Sequence, residues 1–378
     1  MGPRAMRVPR GGPRIAVIET GHWTRGTGTM LKFARRAAIA AGLMALASGP
    51  ALAQQTTITF IGYTALFQEL YTKAVIEPFM KANPDIKVNY FAPGNSAAIL
   101  GVLRAQKAAP QADVAMMDIS IAKAGSDEGL FDPIDEKVSA HVKDLHPQAL
   151  MPGANLAGMT FDSLVLMYDK TKFKEAPKSW RALWDRSMDR QVALTAAPDI
   201  LGLALTVMLE KMAGGTDWNR NLDKGIKEME TLAPRVLTWE PKPDLWNMIM
   251  AQQAAIGVGY NARSQVFSEQ PGSVLQAVIP EEGTLFQINA VTLVKNAPNA
   301  AAARRFVDHM LSPEAQKRFA ETMFYGPTNK RVQLDAKVVD RISPKDMSKV
   351  VDVDWLELAK IREKITQDWR RRIIPLSR

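Results

Sequence analysis

Residues 278–298 of the chain read VIPEEGTLFQINAVTLVKNAP, and this stretch decides the prediction of the fold. It holds two apolar runs, at 278–279 and 285–294, which the breaker-rich segment 280–283 separates. The second run is rich in β-formers and alternates loosely, as a half-buried strand does. A helix is predicted to begin near Asn299. A strand this late in the chain indicates a segment that returns to an earlier sheet and crosses between two lobes, and a cleft between lobes commonly holds a ligand.

The composition is that of a globular protein with room for two domains. The chain has 378 residues, of which 47% are hydrophobic and 23% are charged. Much of the net charge of +9 comes from residues 1–53, which hold eight Lys or Arg against one acidic residue. The remainder is nearly neutral, which argues against nucleic-acid binding. The chain has no cysteine, which excludes disulfides, thiol nucleophiles and Cys-ligated metals.

Residues 30–53 carry the three parts of a cleavable secretion signal. A basic segment with Lys32 and an Arg-Arg pair comes first, followed by an apolar run at 37–47 and the small-residue site ALA at 51–53. The apolar run is too short to span a membrane. Because a lone Arg-Arg pair is a weak twin-arginine signal, we expect the general secretory route. Residues 1–29 have no periodic pattern and are expected to be an upstream extension ahead of the true start.

Beyond the signal, short β-rich runs alternate with amphipathic helices. Strands are predicted at 57–61, 86–91 and 112–117, and helices at 66–81 and 97–108. Repeated strand–helix units of this length indicate a mostly parallel α/β sheet. In such sheets ligands gather at the carboxyl ends of the strands.

The alternation restarts after residue 170, which indicates a second α/β lobe inserted into the first. A helix is predicted to begin near Pro198, with two more at 222–232 and 243–253, and a strand is predicted at 255–260. The chain then ends in a charged helix. The predicted bounds of that helix are residues 352–372.

Five segments in order carry a resemblance to a known family. They are PFMKANPDIKVNYFAPG at 78–94, DVAMMD at 113–118, LVLMYDKTKF at 164–173, IPEEG at 279–283 together with AVTLVKNAPNAAAARRFVDHMLSPEAQKRFAE at 290–321, and YGPTNKRV at 325–332. Together with the secretion signal, this order resembles the type II periplasmic solute-binding proteins of ABC importers. Within them it is most similar to the putrescine/spermidine-binding branch, with the ferric-ion and aminoethylphosphonate binders as neighbours.

The resemblance implies an α/β fold of two lobes, each a mixed, mostly parallel sheet flanked by helices. Lobe 1 would comprise 54–166 and 286–378, including the C-terminal helix, and lobe 2 would comprise 167–285. Two crossing strands, near 164–169 and 285–294, would join the lobes. The ligand would be trapped by closure of this hinge.

Ten residues are candidates for the ligand site. They are Tyr63, Thr64, Asp118, Phe161, Asp162, Trp239, Glu240, Tyr260, Gln287 and Asn289. Tyr63 ends the first strand, where this family places an aromatic side chain against its ligand. Asp118 ends the third strand and can either meet a cation or cap the next helix. Phe161 and Asp162 precede the first crossing strand and belong either to the cleft or to an ordinary turn.

The remaining candidates follow from the family pattern. Trp239-Glu240 precedes a helix and Tyr260 ends a strand, at positions that face the cleft in the family. The helix that opens at Pro198 has free N–H groups that can hold an anion, although most helix starts hold only a cap. Gln287 and Asn289 stand where polyamine binders carry an aromatic residue and an aspartate that pairs with an amine. The chain departs from the polyamine pattern at both positions.

Enzyme classes find little support in the sequence. The four histidines show no metal spacing and are expected to be solvent-exposed, and the chain lacks P-loop, GxSxG and GxGxxG motifs. Thiaminase, an enzyme that shares the implied fold, needs a cysteine nucleophile. Ferric-binding relatives use an adjacent tyrosine pair, whereas the six tyrosines here are never adjacent.

We therefore expect a monomeric periplasmic protein without metal or cofactor that passes a small solute to ABC permease subunits in the inner membrane. The candidate carboxylates and aromatic rings favour an ammonium group, through charge-assisted hydrogen bonds and cation–π contact. An amine or polyamine is the first expectation. A zwitterion such as an aminophosphonate, or an organic anion, is the alternative ligand. A periplasmic enzyme on the same scaffold is the alternative class.

Overall fold

The computed structural model describes residues 55–342 and 347–377. The predicted upstream extension and secretion signal lie outside the described residues. The strands are β1 (Thr56–Tyr63), β2 (Ile86–Gly94), β3 (Val114–Asp118), β4 (Phe131–Asp132), β5 (Ala157–Asp169), β6 (Val192–Ala193), β7 (Val236–Thr238), β8 (Ile256–Tyr260), β9 (Leu275–Val278), β10 (Thr284–Val294), β11 (Gly326–Pro327) and β12 (Val350–Val351).

Helices flank these strands. They are α1 (Leu66–Tyr71), α2 (Glu77–Ala82), α3 (Ser96–Ala105), α4 (Ile119–Asp127), α5 (Ile200–Met212), α6 (Asp223–Leu232), α7 (Leu245–Met250), α8 (Asn261–Ser268), α9 (Ala300–Leu311), α10 (Pro313–Met323), α11 (Ala336–Ile342) and α12 (Trp355–Asp368). Short 3₁₀ turns lie at Ala140–Asp144, Pro147–Ala149, Trp180–Trp184, Arg186–Met188, Ala233–Arg235, Met347–Lys349 and Ile374–Leu376, and π turns at Thr72–Ile76 and Trp369–Ile373.

The main sheet has the strand order β2-β1-β3-β10-β5-β8-β6-β7 and divides into two halves at β5. In the first half β2, β1 and β3 are parallel, and β10 runs antiparallel to β3 and β5. In the second half β8, β6 and β7 are parallel, and β5 runs antiparallel to β8. The predicted mixed, mostly parallel α/β fold is confirmed.

Strand β5 is longer than the predicted crossing strand and is buried along all 13 residues. Its first part pairs with β10 and its second part with β8 and β9, so one strand serves both halves of the sheet. The prediction began this strand at residue 164, because the polar segment 160–163 resembles a turn. Phe161 and Asp162 instead lie inside the strand.

The predicted helix at 66–81 is continuous, with a π turn ahead of its proline. Pro78 has no N–H to donate to the carbonyl of Ala74, four residues earlier. The turn widens here, and the N–H of Glu77 donates to Thr72 O, five residues back. The carbonyl left by Pro78 is satisfied from outside the helix, since Arg318 Nε donates to Ala74 O at 3.1 Å.

The C-terminal helix touches both halves of the sheet. Helix α12 packs against α4 in the first half, and the π turn after it packs against α6 in the second half. Trp369 in that turn is fully buried, and its Nε1 donates to Thr206 Oγ1 at 3.1 Å. The sequence assigned this helix to the first lobe, whereas Trp369 is anchored on the second half. The lobe boundaries themselves stay a prediction.

None of the helices in the described ranges is both long and apolar enough to cross a membrane.

A buried carboxylate joins the crossing strand β10 to strand β1 of the first half. Asp113 is 1% exposed; its Oδ2 accepts the N–H of Thr59, and its Oδ1 accepts the N–H of Asn299, each at 2.8 Å. Its own carbonyl accepts the N–H of Val294, the last residue of β10, at 3.0 Å. This residue therefore connects β1, the end of β10 and the start of α9, where the sequence predicted a helix to begin.

We expect Asp113→Ala to lower the free energy of unfolding by about 1.5–3 kcal/mol, because it removes a buried carboxylate that accepts two partly buried backbone N–H groups. Urea denaturation followed by circular dichroism measures the change. Asp85→Ala is the matched control, since Asp85 pairs with Arg305 on the exposed surface. If both variants lose the same stability, Asp113 has no special role in the fold.

Candidate functional site

The register of the crossing strands decides which side chains share a face. Asn289 on β10 lies opposite Asp118 on β3 and Thr160 on β5, and Gln287 lies opposite Asp162. Directly opposed residues point to the same face of a sheet. The polar side chains therefore gather on one face, at the boundary between the two halves.

The opposite face of the same strands is apolar. Phe161 and Phe286 stack there, with ring centroids 5.0 Å apart. Successive residues of a strand point to opposite faces, so Phe161 and Asp162 cannot both face a cleft. Because Asp162 shares its face with Gln287, the structure places Phe161 away from the other candidates.

A chain of hydrogen bonds orients Tyr63 at the carboxyl end of β1. Its hydroxyl donates to Asn289 Oδ1 at 2.9 Å and lies 3.0 Å from Ser96 Oγ. Asn289 Nδ2 in turn donates to Thr160 Oγ1 at 3.0 Å. Burial and the nearby charge of Asp118 raise the pKa of the Tyr63 phenol above its usual range. Tyr63 is therefore a neutral hydroxyl held in one orientation.

Asp118 caps the next helix, which was one of the two alternatives weighed from the sequence, and its side chain also contacts Gln287. Its Oδ1 accepts the N–H of Ser120 at 3.0 Å and the Ser120 hydroxyl at 2.6 Å, at the start of α4. Its Oδ2 accepts from Gln287 Nε2 at 3.4 Å. Burial raises the pKa of Asp118, although these hydrogen bonds oppose the shift.

Asp162 links β5 to the start of α8. Its side chain is 3% exposed, and its Oδ1 accepts the N–H of Ala262 at 2.9 Å. Burial raises the pKa of Asp162 well above its ordinary value, and hydrogen bonds from the backbone of α8 oppose that shift. Within the described ranges, hydrogen bonds from the backbone of α8 are what offsets the burial of an ionised Asp162.

Tyr260, the last residue of β8, has a pKa on which the charges of several of these groups act. Burial raises the pKa of its phenol, and the charges of Asp118, Asp162 and Asp199 raise it further. Its hydroxyl oxygen is buried and has no hydrogen-bond partner among the described residues. A buried hydroxyl without a partner is costly and marks a place where a ligand group can bind.

We call this group the acidic cluster. Its members are Tyr63, Asp118, Asp162, Asp199, Tyr260, Gln287 and Asn289.

Asp199 supplies the cap that was weighed from the sequence against an anion site at the helix that begins near Pro198. The carboxylate of Asp199 caps α5, since its Oδ1 accepts the N–H of Leu201 at 2.9 Å. The start of this helix therefore already faces a negative charge of the chain itself. Burial raises the pKa of Asp199, and the positive charge of Arg362 opposes that rise.

Three other candidates lie outside the acidic cluster. Thr64 and Glu240 are exposed. Trp239 is occupied in packing, because its ring lies edge-on to Trp369 and its Nε1 donates to Ser377 Oγ at 2.5 Å. Their predicted ligand contacts stay predictions.

Sequence reasoning missed several residues that surround the cluster. Ser96 follows β2 and accepts the N–H of Asp118 at 2.9 Å. Tyr325 stacks on Phe319 with ring centroids 5.3 Å apart, and burial together with the charge of Asp162 raises the pKa of its phenol. Its position in YGPTNKRV, a segment used for the family resemblance, was a signal that could have found it. Arg362 has no local signal, because it belongs to a charged helix distant in sequence.

The three histidines in the part of the chain that the structure describes do not form a metal site. In the described ranges no group of three His, Asp or Glu side chains is placed to hold a metal ion. His141, His146 and His309 are partly buried, which corrects the expectation of solvent exposure. His309 is typical, since its Nε2 lies 3.1 Å from Val75 O and its ring packs against Phe79.

Comparison with known proteins gives the family. Residues 74–343 match the model of the bacterial extracellular solute-binding proteins, which covers more than two thirds of the chain. A gamma-aminobutyric acid-binding protein of Pseudomonas aeruginosa is 26% identical over 352 residues, covering 88% of this chain and 95% of that protein. The spermidine/putrescine-binding periplasmic protein of Salmonella typhimurium is 24% identical over 310 residues, covering 77% of this chain and 83% of that protein.

The fold has a counterpart among solved structures. An extracellular solute-binding protein from Bordetella parapertussis superposes with a TM-score of 0.71 at 22% identity, covering 84% of this chain and 98% of that one. This likeness shows the fold, and the match to the family model answers the choice between a binding protein and an enzyme. The chain therefore belongs to the bacterial extracellular solute-binding proteins, and it is a binding protein rather than an enzyme.

Proposed function

We propose that this protein is the periplasmic substrate-binding component of an ABC importer and that its solute carries an ammonium group. The observation that carries the proposal is the buried Tyr260 hydroxyl, which has no hydrogen-bond partner among the described residues. The charges of three aspartates raise the pKa of this phenol. An ammonium group can donate to this hydroxyl and to a carboxylate at the same time.

The electrostatics of the acidic cluster favour a cation over an anion. Burial raises the pKa of Asp118, Asp162 and Asp199. A raised pKa means that the charged form of the acid is disfavoured, because it is desolvated without enough compensating positive charge. A cationic ligand supplies that charge, whereas an anion would add to the repulsion.

The names of relatives agree with this charge argument. The two relatives described above are named for binding gamma-aminobutyric acid and spermidine/putrescine, and all three of these ligands carry amino groups. The choice between a polyamine and an amine with an acidic end stays open at this point. Asn289, where polyamine binders have an aspartate, disfavours a polyamine.

The members of the acidic cluster come from both halves of the sheet, and this distribution supports hinge closure. Tyr63, Asp118 and Asn289 lie in the first half, whereas Asp199 and Tyr260 lie in the second. A ligand can contact both sets only when the halves are close together, so binding shifts the equilibrium toward the closed form. We infer that the closed, loaded form delivers the solute to the permease.

Only an amine-bearing solute is expected to raise the melting temperature of the purified protein. A ligand that binds only the folded state at about 100 times its Kd adds about 2.7 kcal/mol of stability. Differential scanning fluorimetry should compare putrescine, spermidine, 4-aminobutanoate, aminoethylphosphonate, a dicarboxylate and a sugar phosphate. Stabilisation by the dicarboxylate or the sugar phosphate alone would overturn the proposal.

The radius of gyration is expected to fall when the stabilising amine is added. Small-angle X-ray scattering with and without a saturating concentration measures this change. As a control for solvent effects, the radius of gyration of a variant that does not bind the amine should be measured with the same amine. An unchanged radius at proven saturation would contradict hinge closure.

Asp162→Asn is expected to weaken amine binding about tenfold or more, because it removes a buried charge while the amide oxygen can still cap α8. A bound ammonium lowers the raised pKa of Asp162, so wild-type binding should release protons and weaken as the pH falls through that raised pKa. In Asp162→Asn this pH dependence should be shallower. Isothermal titration calorimetry at several pH values measures both effects.

Asp127→Asn is the matched control for that variant, because Asp127 is exposed at the far end of α4 and pairs with Lys123. It should leave both the affinity and its pH dependence unchanged. Equal affinities for wild type and Asp162→Asn would remove Asp162 from the site.

A further inference from the structure

A guanidinium group from the C-terminal helix reaches the edge of the acidic cluster. Arg362 lies in α12, and its Nη2 donates to Pro198 O at 2.6 Å. Pro198 immediately precedes Asp199, the carboxylate that caps α5. The same helix packs against α4, whose capping residue is Asp118. Arg362 is thus beside acidic residues from both halves of the sheet.

The charge of Arg362 acts on both of these acids. It opposes the rise in pKa that burial causes at Asp118 and at Asp199. This electrostatic effect agrees with the geometry, since Arg362 bonds to the residue before Asp199 and its helix packs on the helix that Asp118 caps.

Anchors at both ends of α12 hold Arg362 in place. Near its start, Trp355 Nε1 donates to Phe286 O on β10 at 3.1 Å. After its end, Trp369 is buried against α5, and Arg372 Nε donates to Glu230 Oε1 at 2.7 Å. The helix therefore presents Arg362 at a defined position rather than on a free tail.

The charge of Arg362 is not neutralised by an ion pair. Across the ranges that the structure describes, its guanidinium makes no ion pair with a carboxylate. Its guanidinium donates instead to the carbonyl oxygen of Pro198. Arg263 differs, because it pairs with Asp244 at 3.7 Å and lies 4.8 Å from the centre of the Trp246 ring. Arg263 also lies beside the cluster and has a buried Nε without a hydrogen-bond partner among the described residues, but its charge is paired with Asp244. Arg362 is therefore the cation at the cluster whose charge stays available for an anionic group.

We propose that Arg362 is a specificity residue that binds the anionic end of the solute, so that the ligand is a zwitterion with one ammonium and one acidic group. This inference rests on the proposed function, since the ammonium end is assigned to the acidic cluster. The guanidinium attracts a carboxylate and repels a second ammonium. One residue thereby favours the zwitterion and disfavours a diamine, which is specificity through repulsion as well as attraction.

Two four-carbon probes test the proposal, because they differ only at one end. They are 4-aminobutanoate and 1,4-diaminobutane. Wild type should bind 4-aminobutanoate more tightly. Arg362→Gln should weaken 4-aminobutanoate about tenfold or more, as the loss of a charge-assisted contact does, and should leave or improve the affinity for the diamine. Arg362→Lys, which keeps the charge but not the planar fork, should fall between the two.

Isothermal titration calorimetry supplies the affinities, and thermal unfolding without ligand verifies that each variant is folded. Arg371→Gln is the matched control, because Arg371 is an exposed arginine nearby that bonds to Gln367 on the surface. It should bind both probes as wild type does. An unchanged ratio of the two affinities in folded Arg362→Gln would overturn this inference and leave the proposed function standing. Absence of binding by either amine to wild type would overturn the proposed function and this inference with it.

Discussion

Strand β5 is the constraint on which the rest of the structure depends. All 13 of its residues are buried, and it pairs with β10 in one half of the sheet and with β8 and β9 in the other. The polar backbone groups of a fully buried strand need hydrogen-bond partners, and β5 finds them in its neighbouring strands and in the side chains of Thr284 and Thr328. The two halves therefore share a common backbone ladder, and any movement of one half relative to the other has to bend at β5 and β10.

The same constraint determines where a polar site can form. Because side chains alternate across a strand, β5 and β10 send Asp162, Gln287 and Asn289 to one face and pack Phe161 on Phe286 at the other. The apolar face stabilises the junction of the halves by burial. The polar face is where we propose that the solute binds, at the point where the carboxyl ends of β1, β3 and β8 also meet.

Electrostatics then shapes what the site can accept. The carboxylates of the acidic cluster are buried, and their helix-capping hydrogen bonds only partly offset the cost of desolvation. Such a site gains stability when a cation arrives. Arg362 modifies this preference, since its fixed positive charge partly offsets the acidic cluster and adds a place for negative charge.

The sequence by itself determined the alternation of strands and helices, the two crossing strands and six members of the acidic cluster. The alternation follows from local periodicity and from breakers, whereas the pair of crossing strands and the positions of Tyr260, Gln287 and Asn289 follow from the resemblance to a known family. It could not reveal that Phe161 and Asp162 lie inside β5, since register depends on pairing with β10. Nor could it show that Asp199 caps α5, that Trp239 packs on Trp369, or that Arg362 reaches Pro198 O from 164 residues away. Contacts between distant segments arise from packing of the whole chain, and only the tertiary structure decides them.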